Sequence, residues 1–313
     1  MKNYYFYIFL FIAATMGCTN SRNSNVADLE NEESTEKTNN ELHNDTLLIL
    51  GRVKSMYEHV FSNYNNRKFG EYEQFFSTSL KALWQDLPTD YAVVDIDPWT
   101  WTQEPDSFVF KNAQLISLSL DTALVKATSE IYAHYDTVVP LGETTILLSM
   151  VREDHDNQKN WFVNDFINSN GNNSVVTTIL EHNTHIEVKQ WAEDVYSKVF
   201  DSINNGDRND YDSLFTKKLS SLFQKLPSNE IIFFADIWTG LQDFNKLSLT
   251  YVETENVSID SASAIIHFCA FENEDNTVRI NAIKENNKWR IDDFIHLDGT
   301  YSVAETARKS IQQ

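Results

Sequence analysis

The chain has 313 residues, with 25 basic and 46 acidic side chains and a formal charge of -21. Hydrophobic residues make up 42% and aromatics 13%, enough to bury a core, which excludes a globally disordered chain. The acidic balance argues against a nucleic-acid partner and against electrostatic adhesion to anionic lipid, and two cysteines exclude a disulfide framework or a multi-cysteine zinc site.

Residues 1–17 read as a secretion signal. Lys2 supplies a positive start, and Tyr4 to Ala14 is an apolar run too short to span a bilayer. Then follow Thr15, Met16, Gly17 and Cys18. A small residue directly before Cys resembles the bacterial lipobox, with Thr15 where Leu is usual. The resemblance implies cleavage before Cys18, a diacylglyceryl group on its thiol, and a membrane attachment made by lipid. Thr19, rather than Asp, favours the outer membrane by resemblance to the sorting rule of enteric bacteria. Residues 18–45 read as a disordered acidic tether.

The rest of the chain is a duplication. At a shift of 139, Tyr57, Val60 and Phe61 land on Tyr196, Val199 and Phe200, and Asn65 and Asn66 land on Asn204 and Asn205. Tyr72, Phe76, Leu80, Leu83, Gln85, Leu87 and Pro88 meet Tyr211, Phe215, Leu219, Leu222, Gln224, Leu226 and Pro227. Asp97, Trp99, Thr100 and Gln103 meet Asp236, Trp238, Thr239 and Gln242. The second copy is shorter, and by its end the shift is 128, where Trp161 to Ile167 matches Trp289 to Ile295.

Each copy has one layout. Ile49, Leu50, Val53, Tyr57, Val60, Phe61 and Tyr64 recur at helical spacing, as do Trp191, Val195, Val199 and Ile203. A second helix is predicted through Tyr72, Phe75, Phe76, Leu80, Leu83, Trp84 and Leu87, and through Tyr211, Leu214, Phe215, Leu219, Leu222 and Phe223, ending at Pro88 and Pro227. The period then falls to two. Strands are predicted at 115–120, 123–132, 144–151 and 161–167, and in the second copy at 248–252, 256–259, 262–271, 277–284 and 289–295. Asp121-Thr122 and Asp260-Ser261 read as hairpin turns. Helices first and antiparallel strands afterwards predict an α+β fold of two tandem homologous domains, each with a helix pair packed on one face of a curved sheet. The first repeat spans 46–168, a linker 169–184, the second repeat 185–299 and a C-terminal tail 300–313.

Asp97, Pro98 and Trp99 with Gln103 and Glu104, and Trp289, Arg290, Ile291, Asp292 and Asp293 resemble motifs of the bacterial envelope family called domain of unknown function 3828. The second copy departs at Ile237, where Pro is expected, and the first at Asn164, where an acid is expected. The resemblance implies a cone-like fold of the nuclear-transport-factor-two-like or cystatin-like kind and carries no activity.

Candidate pocket or structural residues are Asp97, Trp99, Gln103, Asp236, Trp238 and Gln242. A carboxylate beside an indole suits a pocket mouth, but an acid before a turn also caps backbone N–H groups. Asp165 and Asp293 share the core-facing side with Trp161 and Trp289 under strict alternation. There they would act as general bases, or else sit at the strand's end in solvent or pair with a helix. His182 and His185 lie in the linker with no third ligand near, which argues against zinc. Cys269 on an apolar strand reads as a buried small hydrophobe. Neither a Gly-rich phosphate loop nor a Gly-x-Ser-x-Gly elbow occurs, and no cofactor or catalytic residue is assigned. The leading expectation is a non-catalytic lipid-anchored envelope protein, binding or scaffolding a protein or small ligand. The alternatives are a cavity enzyme or carrier, and an immunity or inhibitor protein against a basic envelope toxin.

Overall fold

The computed structural model describes residues 28–65, 71–88, 92–103, 106–134, 137–155, 158–207, 211–227, 233, 235–272, 274–296 and 300–312. The expected signal peptide, Cys18 and the first part of the tether lie outside the described residues, as does Glu104. By its contacts the chain divides into Met1–Leu48 and Ile49–Gln313, and the second unit holds both sheets. Helix α1 (Asp28–Asn65) crosses that boundary, so residues 28–45, expected as tether, are helical. No helix among the described residues is long and apolar enough to cross a membrane.

The fold is α+β with two antiparallel sheets. After α1 come a 3-10 turn (Glu71–Phe75), α2 (Thr78–Gln85), and strands β1 (Ser107–Leu118), β2 (Thr122–His134), β3 (Val138–His155) and β4 (Gln158–Asn168) in sheet order β1-β2-β3-β4. The second half repeats this order. Helix α3 (Val175–Asn205) leads to a 3-10 turn (Asp212–Leu214), α4 (Lys217–Phe223), and strands β5 (Ser248–Glu255), β6 (Ser261–Cys269), β7 (Asp275–Glu285) and β8 (Lys288–His296). A two-residue strand β9 (Tyr301–Ser302) and helix α5 (Val303–Ile311) close it, with sheet order β5-β6-β7-β8-β9.

Alternation along the strands sends one face of each sheet to the helices. On β6 the buried aliphatic and aromatic residues are Ala262, Ala264, Ile266 and Phe268, and they meet Val195, Tyr196, Val199 and Phe200 of α3. On β2 and β3, Val125, Ala127, Ile146, Leu148 and Met150 do the same against Ile49, Val53, Tyr57 and Val60 of α1. Cys269 falls in the other register on β6 and is partly exposed. Its expected burial fails because the strand's odd-numbered positions face away from the helices.

Three expected elements differ. The second helix of each copy is not continuous. Ser77 and Thr216 turn to extended backbone, donate their N–H to Val163 and Ile291 carbonyls on the last strand (2.7 and 2.9 Å), and cap a new helix from there. Their hydroxyl oxygens accept the Leu80 and Leu219 N–H, the usual economy of a Ser or Thr N-cap. Residues 256–259 form a turn rather than a strand, because Asn256 sits at φ 49° and Ser258 N–H closes on Ser261 carbonyl. The linker expected over 169–184 is a turn only to Ser174. Ser174 caps α3 by accepting the Thr177 N–H, and Val175 and Ile179 are fully buried in the core of the first half.

Helix α3 therefore serves both halves. Its first two turns close the first core, and Val188, Ala192, Val195, Tyr196, Val199 and Phe200 build the second. At 1.5 Å per residue its 31 residues span about 46 Å. Burying Val175 and Ile179 stabilises the first half by roughly 1.5–3 kcal/mol each. The expected tail, 300–313, contains the same device. Ser302 caps α5, and Val303 and Ala304 are buried in the second core as Val175 and Ile179 are in the first.

Candidate functional site

The Asp-x-Trp-Thr segments are tight turns in both copies. The Asp97 N–H donates to the Thr102 carbonyl, and Asp97 Oδ1 accepts the Thr100 N–H (2.9 Å) and hydroxyl (3.0 Å). Asp236 repeats this with the Leu241 carbonyl, the N–H groups of Trp238 and Thr239, and the Thr239 hydroxyl. Oδ1 of each carboxylate is thus engaged by the turn's own donors, which fits capping. Burial pushes the Asp97 carboxyl up to about 6, and the hydrogen bonds from Thr100 and Trp99 oppose that rise. The Asp97 charge in turn adds to burial in raising the Tyr57 phenol.

The indoles face inward. Trp99 is 1% exposed and packs edge-on against Tyr57, Tyr72, Phe75 and Phe166, with Phe76 stacked over it. Trp238 is held in the same way by Tyr196, Tyr211, Phe215 and Phe294. These rings fill the space between helices and sheet where a ligand cavity would lie. Gln103 and Gln242 are exposed, and the Gln103 amide donates to Asp95.

A β-bulge decides what the acids after the strand tryptophan do. Met150 pairs with Val163 and Ser149 with Asp165, so Asn164 is the extra residue on β4. Ala282 pairs with Ile291 and Asn281 with Asp293, so Asp292 is the extra residue on β8. The bulge breaks the strict alternation expected of Asp165 and Asp293. It aims Asn164 Oδ1 at the Ser77 hydroxyl (2.9 Å) and Asp292 Oδ1 at the Thr216 hydroxyl (2.9 Å). Asn164 replaces the expected acid because only an acceptor oxygen is needed there.

The next residue holds the following helix. Asp165 Oδ1 accepts the Val176 N–H at 3.0 Å, and Asp293 Oδ1 accepts the Ala304 N–H at 2.8 Å, while the Ser302 hydroxyl donates to Asp293 Oδ2. A carboxylate beside the first free N–H groups of a helix satisfies orphan donors and complements the helix dipole. Burial raises the Asp165 carboxyl, and the Ser174 hydroxyl and the Val176 and Phe166 N–H groups restrain it.

His182 and His185 sit on α3 rather than in a linker, with a His185 ring nitrogen hydrogen-bonded to the Thr254 hydroxyl. No group of three or more His, Cys, Asp or Glu among the described residues is arranged to hold a metal ion. A further feature escaped the sequence reading. An open cleft of about 500 Å³ lies between α4 and the β7–β8 hairpin, lined by Lys217, Lys288, Arg290, Glu285 and Phe215 among others. Searching for residues shared by the copies hides it, because its cations occur in one copy only.

No protein-family model and no curated protein sequence matches the chain. Among solved structures, one described as an Ntf2 like protein involved in plasmid conjugation is similar over 62% of this chain and 80% of that chain, with 13% identity and a TM-score of 0.17. A TM-score that low carries no argument, and the α+β description rests on the strand order and register above.

Proposed function

We propose that the chain is a non-catalytic, lipid-anchored envelope protein. Two nuclear-transport-factor-two-like domains in tandem would act as a binding or scaffolding module, attached through Cys18. The reading is carried by one observation: the duplicated residues with chemical potential make structural contacts in both copies. Asp97 and Asp236 accept hydrogen bonds from their own turns, Asp165 and Asp293 hold helix starts, and Trp99 and Trp238 fill the interiors. The signal-like N-terminus and the Gly17-Cys18 junction support the anchor.

The test is fractionation and cross-linking of cells expressing the tagged full chain and its Cys18→Ala variant. The parent protein is expected in the envelope membrane fraction, and the variant in the soluble fraction. A single stoichiometric cross-linked neighbour supports a scaffold. Equal fractionation of parent and variant sinks the anchored reading.

A further inference from the structure

Where the two copies agree, the fold accounts for the residues. Where they differ at one place in the fold, the fold does not demand the difference. The cleft between α4 and the β7–β8 hairpin is such a place. Its framework is duplicated. Phe215 corresponds to Phe76, and both are nearly buried. Glu285 accepts the Lys217 N–H at the start of α4, as Glu153 accepts the Thr78 N–H at the start of α2. The charges are not duplicated. Lys217, Lys288 and Arg290 stand where the first copy has Thr78, Asn160 and Phe162.

These cations are also unspent. The neighbouring Lys218 and Lys284 are paired with Asp292 and Glu187 at 3.1 and 2.8 Å. Among the described residues, Lys217, Lys288 and Arg290 have no ion-pair partner, in a chain where acids outnumber bases 46 to 25. A cleft of about 500 Å³ is in the range that holds a small ligand.

We propose that this cleft binds a small molecule with one phosphate group and a neutral, hydroxyl-rich body, of which a sugar phosphate is the simplest example. The Arg290 fork and the two ammonium groups match a phosphate. The Ser213 and Ser221 hydroxyls and the Gln224 amide line the same cleft and suit the body. Asp212 and Glu285, also in the lining, repel a polyanion, so nucleic acids and polyphosphates are disfavoured. The same chemistry comes from a free sugar phosphate or from a phosphorylated lipid headgroup. The inference rests on the reading of the chain as a binding module and is independent of the Cys18 anchor.

The experiment is calorimetric titration of the purified full chain with glucose 6-phosphate, glucose and inorganic phosphate. Glucose 6-phosphate is expected to bind saturably and roughly tenfold tighter than either component alone. Arg290→Gln and Lys288→Asn, the latter importing the first copy's residue, are each expected to weaken it roughly tenfold with melting unchanged. Phosphatidylcholine vesicles carrying phosphatidylinositol separate the sources. Arg290-dependent co-sedimentation assigns the site to a headgroup, and binding of the soluble ligand alone assigns it to a free metabolite. Absence of saturable binding to the folded chain overturns the proposal. So does inorganic phosphate binding as tightly as the sugar phosphate, or both variants binding like the parent. A failed titration beside intact Cys18-dependent fractionation overturns this site alone, and the reverse result overturns the anchor alone.

Discussion

The two copies solve the same turn with different residues. Residue 101 of the first copy and residue 240 of the second both take the left-handed conformation, at φ 56° and 70°. The first uses Trp101, the second Gly240, whose missing Cβ leaves room for the His296 ring; a Cβ there would lie 3.0 Å from the His296 Cγ. His296 in turn bonds the Ile237 carbonyl through Nε2 at 2.9 Å, where the first copy has Asn168 in the corresponding strand position. Backbone shape and the capping carboxylate are common to both, while the packing around them is negotiable.

The strongest way to break the comparison is to break α3. Because its first turns belong to one core and its remainder to the other, Asn183→Pro, at an exposed position between them, should cost about 3 kcal/mol. It should also split a single melting transition into two in calorimetry. One unchanged transition would show that α3 does not couple the halves.

Next in size is the pH response of the two turns. The Asp97 carboxyl is raised in the folded chain to about 6, so protonation favours folding. Its cost is absent below the unfolded pKa near 4 and grows until the pH passes about 6. Asp97→Asn keeps an acceptor for Thr100, and its stability relative to the parent should rise over that window by up to about 3 kcal/mol. His296 acts in the opposite sense. Burial lowers its pKa, outweighing the Ile237 hydrogen bond and the charges of Asp236 and Asp293. Its contribution is present above pH 6.5 and is lost as the pH falls through the lowered value. His296→Asn, which imports the first copy's residue, should remove that acid-linked loss. Denaturant midpoints measured from pH 4 to pH 8 read both effects, and parallel curves for parent and variants would refute them.

Gly240→Ala should destabilise the second half by about 1–2 kcal/mol, from the left-handed backbone and the close approach to His296. His296→Asn in the same chain should recover the packing part and leave the backbone part, a separation that a double-mutant cycle measures. Asp292→Asn should cost the least, under about 1 kcal/mol. Asn164 already does that work in the first copy, and the Lys218 end of the pair lost with the acid is exposed. A larger loss in thermal melting would show that the second copy needs the charge itself.

Much of this architecture was legible in the sequence. The 139-residue shift, the helix-then-strand order and the hairpin turns at Asp121-Thr122 and Asp260-Ser261 follow from local chemistry, namely apolar periods, prolines and turn formers. The capping alternative for Asp97 and Asp236 was legible too, since a short acid before a turn reaches N–H groups two and three residues on. The faces of Asp165 and Asp293 were not. A bulge shifts register by one residue, and nothing within β4 or β8 announces it, because it arises from pairing with β3 and β7. The start of α3 is not legible for a similar reason. Residues 175–184 have helical propensity only as strong as their burial, and that burial comes from a core closed more than a hundred residues earlier in the chain by Ile49 and Val53. Lys217 and Arg290 are 73 positions apart, and only the antiparallel return of β8 beside α4 brings them to one cleft. Sequence alone thus determined the repeated plan, whose signals are local. Tertiary structure decided the bulged register, the shared helix and the cationic cleft, because each depends on which distant segments meet.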